Sequence, residues 1–386
     1  MQKYKTPLSN PDITDAERNA VLEVLNTPNL SIGPKIPEFE DIFKKYTDVK
    51  YAVAMSSGTS VLHTIIRGLG IGKGDYVITT PFSFISTSNC LLYEGAEPIF
   101  VDIDDDTYNI NPDDVEKCYL GLPLNIRRKV KAVVYIDTFG NPADGYGFEE
   151  LGKKYNLHII EDSAEALGSS LKGRKCGSFG IAGLFAFYPN KQITTGEGGI
   201  LVTNSEELSK MARSLRNQGR DEGASWLQHE RLGYNYRMSD INAALGIAQM
   251  NRIEEMLYKR KNVKQIYDQK LKNAFDEGLL INQKGLTGSD ISTFVYVVRL
   301  GDRFKQSDRD HTLEELRNNG IQCSNYFTPI HLQPHFGELG WKYGDMPVTE
   351  KISERTISLP FYNNLTSDQV EYVCNKLIES IKRKKS

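Results

Sequence analysis

One lysine of the sequence stands in a loop that could shelter its amine from water. Lys191 lies between residues 185–188 (Phe-Ala-Phe-Tyr) and the glycine-rich residues 196–199. A lysine forms imines effectively only when burial or a nearby positive charge lowers its pKa, and aromatic rings around a cleft provide such burial. Most lysines are simply solvated. The interpretation of Lys191 as a nucleophile therefore depends on two further signals.

The first of these is a run of small polar residues at 56–60 (Ser-Ser-Gly-Thr-Ser), which follows an apolar run and opens a helical pattern over residues 61–67. A helix start offers unpaired N–H groups and the positive end of the helix dipole. Gly58 would let an anion approach the backbone, and the hydroxyl of Thr59 would add a donor. The pattern predicts a phosphate-binding helix start, although an ordinary capped helix fits the same residues.

The second signal is a run of residues rich in carboxylates. Residues 161–165 (Glu-Asp-Ser-Ala-Glu) come at the end of an apolar run. Ligands of open α/β sheets collect at the carboxyl ends of the strands, so Asp162 is placed to meet one. A carboxylate there would keep the nitrogen of a pyridine ring protonated, which makes such a cofactor an acceptor of electrons. Asp162 alone could equally be a helix cap, but the order and separation of the three signals favour a site for pyridoxal 5'-phosphate (PLP).

These residues need a sheet to bring them together. Short apolar runs rich in β-branched residues alternate with helical patterns, which is typical of buried strands in a largely parallel sheet. The predicted strands are residues 51–54, 76–80, 98–101, 131–136, 157–161 and 199–203. The predicted fold class is therefore α/β.

The pattern changes near Asp240. Apolar residues from Ile241 to Leu257 fall at helical spacing and basic residues follow up to Lys264, which predicts one long helix leaving the sheet. Beyond it, residues 293–300 alternate like a strand, and residues 311–319 and 367–383 have helical patterns. Because a single core seldom grows beyond roughly 250 to 300 residues, we predict a large domain over residues 1–255 and a smaller α+β domain over residues 256–386.

Composition excludes several classes of function. The chain has 386 residues with a formal net charge of −3, so no surface of one sign is expected to hold a nucleic acid or an anionic membrane. Its five cysteines are scattered without a Cys-x-x-Cys pair, so neither a disulfide framework nor a metal site is predicted. The first residues lack the apolar core of a signal peptide, and no apolar run approaches 20 residues. We expect a soluble, cytoplasmic protein.

Taken together, the motifs resemble those of the DegT family of nucleotide-sugar aminotransferases, PLP enzymes of the aspartate-aminotransferase-like fold type I. The resemblance extends along nearly the whole chain. Besides the three signals, it rests on residues 81–87 (Pro-Phe-Ser-Phe-Ile-Ser-Thr), 138–144 (Thr-Phe-Gly-Asn-Pro-Ala-Asp), 233–240 (Gly-Tyr-Asn-Tyr-Arg-Met-Ser-Asp), 326–334 (Tyr-Phe-Thr-Pro-Ile-His-Leu-Gln-Pro) and 358–360 (Ser-Leu-Pro). It implies a large domain with a mostly parallel sheet between helices, a smaller C-terminal domain, and amino transfer from L-glutamate to a nucleotide-linked keto sugar.

The resemblance also implies roles for single residues. Lys191 matches the lysine that forms a Schiff base with PLP and serves as acid and base. Asp162 matches the partner of the pyridine nitrogen. Gly58 and Thr59 match residues that bind the phosphate, and Phe84 matches an aromatic ring that stacks on the cofactor.

Two further matches imply a homodimer. Asn235 and Arg237 match residues that reach into the active site of the neighbouring subunit, with Asn235 directed toward the cofactor phosphate. Each active site would then need two chains.

Contacts to the sugar nucleotide are assigned on weaker grounds. His331 matches a position near that substrate, although a histidine on a buried segment is more often a structural group. Tyr188 and Tyr326 could donate hydrogen bonds to the sugar. His63 lies on the inner face of the first helix of the large domain, and we interpret it as a packing residue.

Two positions depart from the family pattern. Ala186 stands where the family usually has a serine that binds the phosphate, so one contact would be lost there. Glu165 stands beside the expected position of the phenolic oxygen of PLP, where many members have glutamine or histidine. A carboxylate there would repel a phenolate unless it held a proton or a water intervened. Glutamate at this place resembles the GDP-perosamine synthase-like subgroup, which aminates the 4-position of the sugar, so a 4-keto-6-deoxy substrate is favoured.

Two other enzyme classes, a dinucleotide-binding oxidoreductase and a sugar dehydratase, fit the sequence less well. Residues 68–74 contain four glycines, but a dinucleotide-binding fingerprint follows a strand and opens a helix, whereas these glycines follow a helix and precede a strand. The family's sugar dehydratases carry histidine in place of the lysine, and Lys191 argues against that activity. Amination of a 3-keto sugar and a catalytically silent PLP-binding regulator both stay open.

Overall fold

The structure is a computed structural model and describes residues 4–225 and 227–383. The helices are α1 (Asp15–Leu25), α2 (Lys35–Thr47), α3 (Gly58–Gly68), α4 (Ser86–Tyr93), α5 (Pro112–Gly121), α6 (Leu124–Arg127), α7 (Gly145–Tyr155), α8 (Glu206–Arg216), α9 (Asp240–Met250), α10 (Ile253–Asp276), α11 (Gln306–Asn318), α12 (Pro334–Gly337), α13 (Pro347–Ser353) and α14 (Ser367–Arg383). The strands are β1 (Tyr51–Met55), β2 (Tyr76–Thr79), β3 (Glu97–Phe100), β4 (Val130–Ile136), β5 (His158–Asp162), β6 (Ser170–Leu171), β7 (Arg174–Lys175), β8 (Ala182–Ala186), β9 (Gly199–Thr203), β10 (Leu280–Ile281), β11 (Ser289–Asp290), β12 (Tyr296–Leu300) and β13 (Thr356–Leu359).

A seven-stranded sheet in the order β1-β9-β8-β5-β4-β2-β3 forms the centre of the large part of the molecule. Only β9 runs antiparallel to its neighbours; the other strands all point the same way. Helices cover both faces, so strands such as β9 are buried along their whole length. The α/β class with a mostly parallel sheet is thus confirmed, and the carboxyl ends of six strands meet at one edge.

All six predicted strands are present, but the sequence analysis missed β8. Gly183 explains the omission, because a strand interior seldom carries glycine and its β propensity is low. A Cβ atom at Gly183 would lie 2.0 Å from the carbonyl oxygen of Gly177. Close approach of two backbones therefore requires glycine where the pattern would otherwise have predicted a strand.

The single long helix predicted after Asp240 is wrong. The chain forms α9, which ends at Met250, and α10, which begins at Ile253. Arg252 leaves helical geometry with φ −113° and ψ 12°. The break lets its guanidinium donate to Glu17 at 2.7 Å, while Gln249 in the last turn of α9 donates to the same carboxylate at 2.8 Å. Two hydrogen bonds to one buried carboxylate thus favour the interruption.

The C-terminal part has its own core. Strands β10, β12 and β13 form a small antiparallel sheet, and buried side chains from Val263 to Ile381 pack together against it. The N-terminal segment joins this part, since Thr6 pairs with Ile321. The placement of a domain boundary at residue 255 stays a prediction.

Within the described residues, no helix is both long enough and apolar enough to cross a membrane.

Candidate active site

Three segments converge at the carboxyl edge of the central sheet. Asp162 is the last residue of β5, and Lys191 lies in the turn after the neighbouring β8. Helix α3 starts with Gly58, shortly after β1 ends at Met55. The sheet therefore brings together the three signals that lie 133 residues apart in the chain, counted from Gly58 to Lys191.

The start of α3 has the form of an anion site. Ser57 caps the helix and accepts the N–H of Ser60 at 3.0 Å. Among the described residues, the N–H groups of Gly58 and Thr59 have no protein acceptor, so both are available to a bound anion. A Cβ atom at Gly58 would lie 2.7 Å from Cβ of Ala186, so the close fit between α3 and the end of β8 requires glycine. Ala186 therefore lies beside the start of α3, where an anion would bind.

Asp162 is buried and held on both oxygens. The hydroxyl of Thr87 donates to Oδ2 at 2.8 Å, and the backbone N–H of Ala164 donates to Oδ1 at 3.2 Å. Burial raises the pKa of Asp162 even though these donors and the charge of Lys191 favour the ionised form. A cationic group beside Asp162 would lower that pKa again, so the site fits a protonated ring nitrogen.

Lys191 is enclosed, with 14% of its side chain exposed. Its Nζ lies 3.7 Å from Oε1 of Glu165 and 4.1 Å from the ring centroid of Phe294. Burial lowers the pKa of Lys191, and the charges of Glu165 and Asp162 oppose that shift. The amine is therefore neutral at a lower pH than an exposed lysine, which is the state that attacks a carbonyl group.

The loop that carries Lys191 is fixed from two sides. The backbone N–H of Lys191 donates to the carbonyl of Tyr188 at 2.9 Å and closes a turn. The buried amide of the next residue, Gln192, donates to the carbonyls of Glu165 and Ser292 at 2.5 and 3.2 Å. These bonds hold Lys191 at a defined distance from Glu165.

Glu165 is buried behind the lysine. The backbone N–H of Phe139 donates to its Oε2 at 2.9 Å. Burial raises the pKa of Glu165, while Lys191 and that N–H favour its charged form. Phe139 adopts a left-handed backbone conformation with φ 62°, which is uncommon for a residue with a side chain. The turn thus aims a backbone donor at Glu165.

Aromatic residues form the outer side of the site. Phe84 and Tyr188 are 62% and 54% exposed, so the described part of the chain leaves more than half of each residue uncovered. Tyr326 is half-buried; its ring centroid lies 6.3 Å from that of Phe139. Burial and the nearby charge of Glu165 raise the pKa of the Tyr326 hydroxyl, which places this residue in the same neighbourhood as the lysine.

Asn235 and Arg237 do not meet Lys191 within one chain. Asn235 is exposed, and its side chain has no hydrogen-bond partner in the described part of the structure. Arg237 donates to Oδ1 of Asn217 at 3.0 Å and to Oε1 of Gln218 at 2.5 Å. Burial, with the charges of Arg220 and Arg216, lowers the pKa of Arg237. Their assignment to a neighbouring subunit's site stays a prediction.

His331 is buried, and its predicted contact with the substrate stays a prediction. Its imidazole is 0% exposed, and its Nε2 lies 2.9 Å from Oε1 of Glu350. The ring of Phe100, with its centroid 6.5 Å from that of His331, lies beside the imidazole. His63 is buried against aromatic rings, and both of its ring nitrogens have hydrogen-bond partners as well, Tyr236 and Glu94.

Sequence reasoning missed four residues of the site. Thr87 holds Asp162, Phe294 covers Lys191, Gln192 fixes the lysine loop, and Phe139 donates to Glu165. Thr87 and Phe139 lie in stretches that carried the family resemblance, so position alone could have suggested them. Phe294 comes from the segment before β12, and no local pattern indicated that it would reach the sheet edge.

A second buried acidic pair lies close to Asp162. The carboxyl groups of Asp137 and Glu161 are hydrogen-bonded to each other. Burial raises the pKa of Asp137 to about 6 and that of Glu161 well above its ordinary value. Asp137 also accepts the hydroxyl of Ser163 at 2.7 Å. A shared proton between the two carboxyls would thus brace the turn that follows β5.

Comparison with known proteins connects this geometry to one family. The family model described as the DegT/DnrJ/EryC1/StrS aminotransferase family matches residues 11–378. The GDP-perosamine synthase of Caulobacter vibrioides is 35% identical over 365 residues, covering 94% of this chain and 95% of that protein.

Two solved structures are similar over almost their whole length. PseC of Helicobacter pylori, an aminotransferase involved in the biosynthesis of pseudoaminic acid, superimposes with a TM-score of 0.90 at 30% identity, covering 98% of this chain and 99% of that one. Spr1654 of Streptococcus pneumoniae, a putative sugar aminotransferase in its PMP form, gives a TM-score of 0.90 at 27% identity with the same coverage.

Proposed function

The chain belongs to the DegT/DnrJ/EryC1/StrS aminotransferase family, and we propose that it transfers an amino group from L-glutamate to a nucleotide-linked 4-keto-6-deoxy sugar. The enzyme is a PLP-dependent sugar aminotransferase of fold type I. The proposed product is a 4-amino sugar nucleotide for polysaccharide, glycan or glycosylated-metabolite biosynthesis. In the transfer, the keto carbon gains the amine and a hydrogen while the α-carbon of glutamate becomes a ketone, so 2-oxoglutarate leaves.

The residues at the sheet edge fit PLP. The free N–H groups of Gly58 and Thr59 suit its phosphate, buried Asp162 suits its ring nitrogen, and Lys191 suits its aldehyde. When bound, PLP supplies an aldehyde for amines to condense with and a ring that accepts electrons from the carbon bearing the amine.

Lys191 is the residue that moves protons in this proposal. Burial lowers the pKa of its amine, so the neutral form is accessible at moderate pH and can take a proton from the donor's α-carbon. The same amine then returns a proton at the adjacent position. Phe294 at 4.1 Å closes one side of the amine and excludes water there. This enclosed lysine between two buried carboxylates is the single observation that carries the proposal.

Asp162 must stay ionised for the reaction to run. The Thr87 hydroxyl and the Ala164 N–H stabilise its charge, and a ring cation would add to them. Since Asp162 ends a buried strand, its carboxylate cannot rotate freely toward water. It therefore presents a fixed negative charge to the ring nitrogen.

Glu165 supports the choice of a 4-keto sugar. Its Oε1 lies 3.7 Å from Lys191, and its other oxygen is held by Phe139. Burial raises the pKa of Glu165, so protonating this carboxyl beside a phenolic oxygen costs less free energy than protonating an exposed glutamate. Glutamate at this place resembles the members that aminate the 4-position.

A cationic cleft supports a substrate with a diphosphate. Four arginines, Arg213, Arg216, Arg220 and Arg237, outnumber the two carboxylates, Asp221 and Glu222, that line a cleft of about 170 Å³ next to the segment that carries Asn235. Their mutual repulsion contributes to the lowered pKa of Arg237, and a bound anion would relieve it. In the proposed homodimer this cleft and Asn235 face the neighbouring active site.

Amination of a 3-keto sugar is the second candidate. It stays open because proteins that are similar over nearly the whole chain are named for different sugars, perosamine and pseudoaminic acid, so overall likeness does not select the sugar. The choice depends on side chains that contact the sugar rather than on the fold.

A product assay separates these candidates. PLP-loaded protein is incubated with L-glutamate and, in turn, the GDP, UDP and dTDP forms of a 4-keto-6-deoxy sugar and a 3-keto-6-deoxy sugar. We expect 2-oxoglutarate to exceed one equivalent per active site only with 4-keto substrates, and NMR of the product to find nitrogen on carbon 4. Nitrogen on carbon 3 would overturn the 4-keto proposal, and absence of 2-oxoglutarate with every acceptor would favour the silent regulator. Lys191→Ala protein is the control.

A further inference from the structure

The segment that carries Asn235 is held by a buried hydrogen-bond network that starts on helix α3. Nδ1 of His63 lies 3.0 Å from the hydroxyl of Tyr236, and Nε2 lies 2.7 Å from Oε1 of Glu94. The same oxygen of Glu94 accepts the hydroxyl of Tyr234 at 2.8 Å. His63 and Glu94 have side chains only 7% and 8% exposed, so water competes little for these bonds.

The two tyrosines lie on either side of Asn235 in the sequence and on the opposite side of the backbone from it. Bridge pairing of Asn235 with Asn217 and of Arg237 with Met55 shows that this segment is extended. Side chains alternate in an extended chain, so Tyr234 and Tyr236 both point toward α3, with ring centroids 4.9 Å apart and planes 13° from parallel. Asn235 points the other way and is exposed.

The hydroxyls of the tyrosines therefore determine where Asn235 points. The backbone of the segment is anchored as well, since the N–H groups of Tyr234 and Tyr236 donate to the carbonyls of Leu215 and Arg216 at 2.6 and 3.0 Å. Those bonds fix the position of the segment along α8. His63 and Glu94 also prevent the segment from rotating about its own axis, because they hold the rings of Tyr234 and Tyr236 on the side that faces α3.

Helix α3 takes part in two sites at once. Its first turn carries Gly58 and Thr59, the phosphate position of this chain's own site. His63 lies in the next turn of the same helix and holds the tyrosines beside Asn235. The two functions therefore use different turns of one helix.

We propose that His63 and Glu94 are positioning residues which, through Tyr234 and Tyr236, direct Asn235 into the active site of the neighbouring subunit. The phosphate contact in one site then depends on a histidine of the other chain. This inference rests on the proposed function, because it requires the shared active site of a homodimer.

The first test compares homodimers. We expect His63→Leu to weaken PLP binding about tenfold, the loss of one hydrogen bond to a charged phosphate, with little change in the rate at which saturating PLP sites react with L-glutamate. Tyr236→Phe, which removes only the hydroxyl, should act in the same direction with a smaller effect. His311→Leu on α11 is the matched histidine control and should bind PLP normally. PLP affinity within twofold of wild type for both His63→Leu and Tyr236→Phe would overturn the proposal.

The second test assigns the effect to a chain. A heterodimer with one Lys191→Ala chain has a single site that can give the visible PLP band, and that site receives Asn235 from the Lys191→Ala chain. His63→Leu placed on the Lys191→Ala chain should weaken PLP binding about tenfold. The same substitution placed on the other chain should leave the affinity unchanged. The reverse result, or equal loss in both arrangements, would show that His63 acts within its own site or on the fold and would overturn the proposal.

A parallel pair of heterodimers separates this inference from the function it rests on. Asn235→Ala replaces His63→Leu in the same two arrangements. If Asn235→Ala weakens the site of its own chain, the shared active site itself is wrong. If Asn235→Ala acts across the dimer and His63→Leu does not, only the positioning role fails.

Discussion

The inner and outer sides of the site differ in how much of their environment one chain supplies. On the inner side, Asp162, Glu165 and Lys191 are enclosed by their own chain, with donors already in place. On the outer side, Phe84, Tyr188 and Asn235 are exposed. The groups that need altered pKa values are desolvated by the fold itself, whereas the groups that contact phosphate and sugar are left for a second chain or a ligand to cover.

The largest expected effect is on the inner side. Lys191→Ala removes the amine that captures the cofactor and moves the proton, so we expect amino transfer to fall by at least about 10⁴-fold. Release of 2-oxoglutarate from L-glutamate measures it. Lys210→Ala, at an exposed lysine in a surface ion pair, is the control. Ordinary turnover by the Lys191→Ala protein would refute the role of the inner side.

Substitutions of Asp162 and of its hydrogen-bond donor Thr87 should slow the glutamate reaction to different extents. Asp162→Asn keeps the shape and removes the charge, so we expect a decrease of about 10² to 10³-fold in the rate of the glutamate reaction at saturating PLP. Thr87→Val leaves the charge and removes one donor, and its decrease should be about tenfold. A larger loss for Thr87→Val than for Asp162→Asn would contradict the assignment.

The outer side is tested by mixing chains. Arg237→Ala should raise KM for the sugar nucleotide by about ten- to one-hundredfold, with a small change in kcat, because it removes a charge that contacts substrate. Heterodimers of Lys191→Ala and Arg237→Ala chains contain one site with both residues intact. At sugar-nucleotide concentrations below the wild-type KM, they should therefore be more active than either parent. Activity no higher than that of the parents would mean that Arg237 acts in the active site of its own chain.

The charge of Glu165 should affect the pH at which Lys191 loses its proton. Burial lowers the pKa of Lys191 and the charge of Glu165 raises it again, so Glu165→Gln should lower that pKa further. The neutral amine would then persist to lower pH. We expect the acid limb of the rate of PLP capture by the apoprotein to move down by about one pH unit. Movement toward higher pH would contradict the electrostatic contact.

The smallest effect concerns the phosphate position. Ala186 lies against Gly58, where a hydroxyl could reach an anion at the start of α3. Ala186→Ser should therefore strengthen PLP binding about threefold, a modest gain because the new hydrogen bond replaces one with water. Titration of the apoprotein with PLP measures the change. Unchanged affinity would mean that a side chain at position 186 does not contact the phosphate of PLP.

Sequence patterns predicted those features that local residues determine. Six strands follow from apolar runs, and the order of Gly58, Asp162 and Lys191 along the chain was enough to suggest that they meet at one sheet edge. Strand β8 and the break before α10 were missed because their causes are long-range: backbone contact at Gly183, and the shared carboxylate of Glu17.

The same limit applies within the site. His63 has the spacing of a buried helix residue, and only the fold shows that Tyr236 and Glu94 reach it. His331 matched a substrate-binding position by motif, yet its surroundings bury it completely. A motif identifies which residue types are present, while the partners of each side chain depend on segments far away in the sequence.

The most direct test is the visible absorption spectrum of the PLP-loaded protein, recorded before and after L-glutamate and again after a 4-keto-6-deoxy sugar nucleotide is added. We predict that glutamate bleaches the visible band and that one of the GDP, UDP or dTDP sugars restores it. A band that glutamate leaves unchanged would contradict an aminotransferase that uses this donor, and a band that only a 3-keto sugar restores would contradict the proposed acceptor.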